Sequence, residues 1–191
     1  MTAPGKHTGP TRRRFLIGTG AAVALGVAQA TQAAAVPSPA PEPGTVDPAQ
    51  SVAAIQEIKQ LKARYFRAID TKNWTLLREQ LTDDVDVDTT ASLGIRTQGA
   101  DTFIGFLKLT IGSAETVHHG HLPEITVTSP TTATGIWALQ DLLIWLGIVR
   151  VIGFGHYHET YRLEDGRWRI SSTKLTRLYL DPVGEQQLFG V

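Results

Sequence analysis

The chain has no cysteine among its 191 residues. Disulfide bonds, thiolate catalysis, lipidation on cysteine and thiolate metal sites are therefore all excluded. An excess of charge of one sign is missing too, because 18 Lys and Arg side chains balance 18 Asp and Glu side chains. The basic residues form no stripe beyond the first residues of the chain. Nucleic acid and anionic membrane surfaces are therefore not expected partners.

Beyond the N-terminal region, the sequence contains no hydrophobic run long enough to cross a membrane. The most apolar stretch, residues 142–151, is interrupted by Gly147 and Arg150, whereas a membrane-spanning helix needs about 20 apolar residues. This stretch therefore predicts a pair of buried strands. No internal repeat is visible, and the length fits one domain with a single pocket.

The N-terminal segment carries a targeting pattern. Arg12 and Arg13 precede a mildly apolar stretch that begins with Phe15 and Leu16 and ends in small residues. This pattern resembles a bacterial twin-arginine export signal. We expect residues 1–35 to be the signal peptide, with the mature protein periplasmic or extracellular and free of any stable membrane span. The proline-rich residues 36–47 predict an extended linker, followed by a domain at 48–182 and a tail at 183–191.

Periodicity predicts helices first and strands afterwards. Asp47 and Pro48 form a typical helix start, and the apolar residues that follow recur at helical spacing. Shorter helices are predicted at residues 73–81 and 99–111, and long antiparallel strands at 117–129, 132–147, 148–164 and 167–181. This order indicates the α+β class. The apolar stripe of the first helix consists of Val52, Ile55, Ile58, Leu61, Tyr65, Phe66 and Ile69.

Three polar residues occupy unusual positions in these elements. Asp70 closes the first helix, where the helix dipole disfavours a negative charge, so either a compensating group or a local turn hydrogen bond is expected. Tyr65 lies on the apolar stripe, and its hydroxyl needs a buried partner or a pocket. Asp141 interrupts an apolar strand and must be paired or neutral. Its candidate partners are Arg150 and Arg177.

Histidines cluster on two of the predicted strands. On one strand His119 and His121 share a face and His118 points to the other face; His156 and His158 share a face of a second strand. Two such pairs could offer four imidazoles to a metal, supply a catalytic base, or lie on an exposed surface. The spacing from His121 to the next Glu is too short for a cupin-type metal site, so no metal is expected.

A family resemblance covers most of the mature chain. The segments IKQLKARYFRAIDTKNWTLLREQLTDDVDVD, TVHHGHLPEITV and GHYHETYRLEDGRWRI resemble the SnoaL-like branch of the nuclear transport factor 2-like superfamily. That branch is similar to scytalone dehydratase and the bile-acid dehydratases. The resemblance implies a cone-shaped, curved antiparallel sheet wrapped around a long N-terminal helix, with two further short helices. It also implies a homo-oligomer assembled through the sheet.

The resemblance also implies a site inside the cone. The implied catalytic residues are Tyr65, Asp70, His118, Asp141 and Arg177, although the neighbouring His119 and His121 leave open which histidine faces the cavity. The residues expected to line the substrate pocket are Trp74, Trp137, Tyr157 and His121, with Trp145 as a further candidate and Trp168 assigned to the core.

Two main functions are compatible with such a site, and an enzyme with a histidine-bound metal is a third alternative that the sequence favours less. The first is a lyase or isomerase without cofactor, which acts by general acid-base catalysis on a small hydrophobic, hydroxylated cyclic carbonyl compound of polyketide or steroid type. The second is a non-catalytic exported module that binds an apolar molecule in the same cone. An ionisable pair beside Tyr65 favours the enzyme, because an apolar binding cup does not need one.

Overall fold

The computed structural model describes residues 46–184, with side chains as far as residue 181. The predicted signal peptide, most of the linker and nearly all of the tail lie outside this range. The elements in chain order are α1 (Pro48–Asp70), α2 (Trp74–Glu79), β1 (Leu81–Asp88), a 3₁₀ turn η1 (Thr90–Ser92), β2 (Arg96–Gln98), α3 (Ala100–Thr110), β3 (Glu115–Ser129), β4 (Thr132–Trp145), β5 (Val149–Glu164) and β6 (Arg167–Gly184).

Helix α1 begins where the sequence predicts. The Asp47 carboxylate accepts a hydrogen bond from the backbone N–H of Ala49 at 3.1 Å, and Pro48 occupies the first helical position. The apolar stripe is almost wholly buried at Ile58, Leu61 and Tyr65, whereas Val52 near the start of the helix is exposed, contrary to the prediction. Burial of this stripe, more than helix propensity, therefore holds α1 in place.

The two shorter helices are each slightly shorter than predicted. The Asn73 side chain accepts from the backbone N–H of Leu76 at 3.0 Å, so Asn73 caps α2 and is not its first helical residue. Gly99 precedes α3 with φ at 90°, a conformation that strongly favours glycine. Helix α2 contacts α1, α3 and β1, and α3 also contacts β1 and β2.

The sheet has six strands in the order β2-β1-β6-β5-β4-β3. The predicted α+β class and the arrangement of the sheet around α1 are confirmed. Strands β3 to β6 form an antiparallel meander, but β1 pairs with β6 in parallel, so the sheet as a whole is mixed. A parallel pair needs a long connection, which the rest of the domain provides. The three-residue β2 was not predicted, because so short a strand shows no measurable alternation of apolar and polar residues.

Residues on the central strands alternate between a buried inner face and an exposed outer face. On β3 His118 points inward, and His119 and His121 point outward. Strand parity predicted that His118 lies opposite the other two but left open which face is inward. Strand β3 changes parity at an irregularity after His121, and β6 changes parity at Leu178. The predicted strand pair at 142–151 is the β4–β5 hairpin, but the prediction that it is buried is wrong: its strand residues are only half-buried, and Leu146, Ile148 and Val149 at the turn are exposed. No helix within residues 46–184 is long and apolar enough to cross a membrane.

Candidate active site

A cavity of about 280 Å³ lies between α1, α3, η1 and the inner face of the sheet. Its walls are mostly apolar, and its ionisable and phenolic side chains come from α1 and from strands β1 and β3 to β6. The apolar lining residues are Ile69, Val87, Leu93, Phe103, Phe106, Leu107, Ile111, Leu143, Trp145, Val151, Leu175 and Leu180, and the main polar ones are Tyr65, His118, Asp141, Tyr157, Thr173 and Arg177.

Asp70 and His118 form a hydrogen-bonded pair at the edge of this cavity. Asp70 Oδ1 lies 2.6 Å from His118 Nδ1, and Asp70 Oδ2 accepts the backbone N–H of His118 at 2.9 Å. The pair joins the C-terminal end of α1 to the inner face of β3. Because Asp70 occupies Nδ1, the other ring nitrogen of His118, Nε2, is the one left for a ligand in the cavity.

Other side chains compensate the unfavourable position of Asp70 at the helix end. Thr116 Oγ1 donates to Asp70 Oδ1 at 2.9 Å, and Lys72 Nζ donates to Thr116 Oγ1 at 2.7 Å. The local turn hydrogen bond considered from the sequence is made instead by the neighbouring Thr71, whose hydroxyl donates to the carbonyl of Arg67. Asp70 is therefore oriented toward β3 rather than toward its own turn.

Two buried phenols face the cavity. Burial raises the pKa of Tyr65, helped by the nearby carboxylate of Glu159, and burial also raises the pKa of Tyr157 well above its usual value. Neither hydroxyl has a hydrogen-bond partner among the described residues, and the two rings meet edge to face with centroids 6.4 Å apart. Both phenols are therefore neutral and can donate a hydrogen bond to a bound molecule.

Asp141 is paired with Arg177, not with Arg150. Arg177 Nη1 and Nη2 donate to the two carboxylate oxygens of Asp141 at 2.9 and 2.6 Å, and Arg177 Nε donates to Ser92 in η1. Such a two-pronged contact is the strongest geometry available to these groups. It holds the guanidinium against the cavity wall and satisfies the carboxylate, which is 2% exposed.

The structure places only some of the predicted pocket residues in the lining. Tyr157 and Trp145 line the cavity, and Trp168 belongs to the core as predicted. Trp74 packs against the core outside the lining, and Trp137 donates through its indole nitrogen to Tyr161 at 2.8 Å. His121 is exposed on the outer face. The family resemblance implied pocket roles for Trp74, Trp137 and His121, and the structure places all three outside the lining.

The outward histidines form no metal site in the described part of the chain. His119 and His121 have ring centroids 5.9 Å apart, and those of His156 and His158 are 6.3 Å apart. Ala138 separates His121 from His156 across the sheet. Within residues 46–184 no three His, Asp or Glu side chains are grouped as metal ligands would be.

Sequence reasoning missed a buried ion pair beneath the cavity floor. Lys62 Nζ lies 2.6 Å from Glu159 Oε1, and both side chains are fully buried. The ammonium lies over the rings of Tyr65 and Tyr157, at 4.2 and 3.7 Å from their centroids. Burial lowers the pKa of Lys62, while Glu159 opposes that shift. A signal was present, since Lys62 falls on the buried stripe between Ile58 and Tyr65.

The fold and this site agree with the comparison to known families. The profile of the SnoaL-like domain matches residues 50–174. The match covers more than half of the chain, so the protein belongs to the SnoaL-like domain family.

Solved structures with the same fold include three informative cases. A protein from Novosphingobium aromaticivorans assigned as a scytalone dehydratase aligns over 69% of this chain and 89% of its own, with 19% identity and a TM-score of 0.63. A type 2 hexachlorocyclohexane dehydrochlorinase, LinA, aligns over 70% and 91%, with 19% identity and the same TM-score. The Kfla4162 protein from Kribbella flavida aligns over 68% and 94%, with 24% identity and a TM-score of 0.63. At these identities the likeness establishes the fold alone.

Proposed function

We propose that this protein is a dehydratase-type lyase or isomerase without cofactor, acting on a small hydrophobic, hydroxylated cyclic carbonyl compound. The observation that carries the proposal is the Asp70–His118 pair at 2.6 Å beside an apolar cavity. A carboxylate that holds one imidazole nitrogen makes the other a positioned general base. Two structural relatives, a protein assigned as a scytalone dehydratase and a dehydrochlorinase, have names that denote eliminations.

In the proposed dehydration, His118 Nε2 removes a proton from the carbon next to the substrate carbonyl. The electron pair of the broken C–H bond forms an enolate, and Asp70 stabilises the imidazolium that results. The enolate then re-forms the carbonyl as the C–O bond to the hydroxyl group breaks. His118 returns its proton to the departing oxygen, so water leaves and the base is regenerated. Isomerisation would return the proton to carbon instead.

The remaining polar groups of the cavity would stabilise the developing oxyanion. Tyr65 is neutral and has no partner among the described residues, so its hydroxyl is available to the enolate oxygen. Arg177 uses three of its five N–H groups on Asp141 and Ser92. Its other two can bind the substrate. In this scheme Asp141 orients Arg177 and makes no contact with the reacting atoms.

The size of the cavity narrows the proposed substrate class. An apolar cavity of about 150 Å³ admits one benzene ring, and this cavity measures about 280 Å³. We therefore propose a substrate with one or two rings inside the cavity. A steroid with four fused rings would have to project from the mouth.

Substitution of the three central residues tests the mechanism with such a substrate. Asp70→Asn and His118→Gln should each lower kcat by about two to four orders of magnitude, the range of a positioned general base. Tyr65→Phe should lower kcat by about two orders, as for one oxyanion donor. The Asp70 and His118 double variant should lose far less than the sum of the separate losses, because the two act as one unit.

His119→Gln is the matched control, because it makes the same substitution on the outward face of β3 and should leave kcat unchanged. The competing function is a binding module that holds an apolar molecule in the same cavity. The catalytic assignment is wrong if hydroxylated cyclic ketones bind tightly without turnover and the three variants bind them as the wild type does. The protein would then be a carrier that holds its ligand in this cavity.

The export of the protein is a separate proposal that depends on the sequence alone. Arg12 and Arg13 precede the apolar N-terminal segment, and twin-arginine signals are recognised by that pair. Replacing both residues by Lys should leave the precursor inside the cell, as measured by fractionation and immunoblotting. The control is Lys59→Arg, which exchanges the same two residue types in the opposite direction within the mature domain. It should leave export unchanged. Secretion of the double variant at the wild-type level would refute the targeting role.

A further inference from the structure

A chain of hydrogen bonds runs from the turn after α1 to the His118 imidazole. Lys72 adopts a left-handed conformation with φ at 57°, and its Nζ donates to Thr116 Oγ1 at 2.7 Å. Thr116 Oγ1 in turn donates to Asp70 Oδ1 at 2.9 Å. The same carboxylate oxygen lies 2.6 Å from His118 Nδ1. Four side chains from the turn, α1 and β3 are thus linked in one sequence of contacts.

The chemistry of Lys72 and Asp70 together fixes the direction of the whole chain. An ammonium group can only donate, so the Thr116 hydroxyl must accept from Lys72 and give its single proton to Asp70. A carboxylate can only accept, so His118 Nδ1 must carry the ring proton that meets Asp70 Oδ1. The Nε2 atom of neutral His118 consequently keeps a lone pair, which is what a base needs.

We propose that Lys72 and Thr116 are positioning residues that fix the direction of this chain, and so keep His118 Nε2 as the proton acceptor of the cavity. The catalytic consequence rests on the proposed function, but the arrangement itself does not. Neither residue lines the cavity, so both act through the Asp70–His118 pair.

The positive charge of Lys72 also stabilises the Asp70 carboxylate. The C-terminal end of α1 disfavours a carboxylate, and the Lys72 ammonium compensates it from the following turn. Partial burial lowers the pKa of Lys72, and the charge of Asp70 opposes the shift. The other ionisable groups that line the cavity are Tyr65 on α1, Asp88 on β1, Asp141 on β4, Tyr157 on β5 and Arg177 on β6.

Nuclear magnetic resonance of the imidazole nitrogens tests the proposal without a substrate. In the wild type, neutral His118 should be protonated at Nδ1 and bare at Nε2. Thr116→Val removes one donor from Asp70, and Lys72→Met removes the positive charge. Both changes favour protonated forms of the pair, so the midpoint of its titration should move up by about one pH unit in each variant. With an active substrate, the acid limb of kcat/KM should move in the same direction.

Two variants separate positioning from a merely structural role. Thr116→Ser keeps the hydroxyl and should restore the wild-type midpoint. Thr97→Val is the matched control, because Thr97 is as buried as Thr116, at 6% exposure, but its hydroxyl has no partner among the described residues. It should leave the midpoint where it is. Lys72 is partly exposed, so Lys72→Met provides the test even if Thr116→Val does not fold.

Two outcomes would overturn the inference. One is a wild-type His118 protonated at Nε2 instead of Nδ1. The other is a titration midpoint that stays within about 0.2 pH unit of the wild type in folded Lys72→Met and Thr116→Val. The proposed function would be refuted by a different result, namely the absence of turnover. That result would not change the nitrogen resonances of His118, so the two failures can be told apart.

Discussion

At the scale of single residues, Gly153 shows how tightly the cavity wall is built. It lies on the inner face of β5 opposite Asp141. A Cβ atom there would come within 2.2 Å of both Arg177 Nη1 and Asp141 Oδ1. Glycine is therefore the residue that leaves room for the ion pair between β4 and β6.

Gly153→Ala should accordingly disrupt the Asp141–Arg177 pair. We expect the free energy of unfolding to fall by about 1–3 kcal/mol, as for other overpacked sites, with a loss of kcat from the displaced guanidinium. Urea unfolding and steady-state kinetics measure the two effects. Gly105→Ala in α3 is the control, because a Cβ atom at Gly105 would meet no heavy atom of the described residues within 4 Å, and it should stabilise the helix by about 0.5–1 kcal/mol. Equal stability of the Gly153 variant and the wild type would contradict this account.

The sequence revealed which residues were unusual but not which partners they had. Asp70 was recognised as misplaced for the helix dipole, and strand parity separated His118 from its two neighbours. The choice of Arg177 over Arg150 for Asp141 depends on the register and bulge of β6, which no local pattern encodes. Lys62 was passed over because a lysine on an amphipathic helix is usually solvated.

At the scale of elements, the Lys62–Glu159 pair fastens α1 to β5. Glu159 also accepts hydrogen bonds from Tyr161 at 2.6 Å and Thr173 at 3.2 Å, so all its donors come from the core. Removing one charge of a buried pair leaves the other uncompensated, whereas removing both can be nearly neutral. The two kinds of substitution should therefore differ sharply.

We expect Lys62→Met to lower the free energy of unfolding by about 3–5 kcal/mol. The double variant Lys62→Met, Glu159→Gln should recover most of that loss, because Gln carries no charge and can accept from one of the two hydroxyls and donate to the other. Denaturant unfolding of both variants measures the difference. If the single variant loses less than about 1 kcal/mol, the pair is not the buried, desolvated contact described above.

Element boundaries followed from the sequence where periodicity was strong. Helix α1 and the four long strands of the meander were predicted to within a few residues, since burial imposes their patterns. Strand β2 and the parallel contact between β1 and β6 could not be predicted. Strand β2 is too short to show a pattern. Strand β6 is distant from β1 in sequence, and the alternation within β1 is the same for a parallel or an antiparallel partner.

At the scale of the whole molecule, the ionisation of tyrosine should limit stability in alkali. Burial raises the pKa of Tyr65, Tyr157 and Tyr161 in the folded protein, while tyrosines of an unfolded chain ionise near pH 10. The folded pKa values exceed the unfolded ones, so this stabilisation is fully present below about pH 10. It is lost as the pH rises further, because only the unfolded chain releases these protons.

Above about pH 10 the free energy of unfolding should fall by up to about 4 kcal/mol per pH unit, or about 1.4 for each buried tyrosine. Tyr65→Phe should reduce this slope by about a third. Tyr179→Phe should reduce it much less, because the pKa of Tyr179 is raised mainly by a hydrogen bond to Asp181 at the exposed surface, where solvent screens the charge of that carboxylate. Denaturant unfolding across the alkaline range, followed by tryptophan fluorescence, provides the measurement. A phenolate absorbance that appears for all four tyrosines before unfolding would contradict the prediction.

The parallel contact between β1 and β6 also constrains how the protein folds. Leu81 is in register with Ile170, and Val87 with Thr173, so a strand near the start of the domain must wait for the last strand to be synthesised. Pairings between such distant segments raise the contact order, and high contact order slows folding. Until β6 arrives, β1 and β2 present unpaired backbone edges, which favour aggregation. The sheet is therefore completed only after translation of the domain has nearly ended, and during that interval the chain depends most on its solubility or on a chaperone.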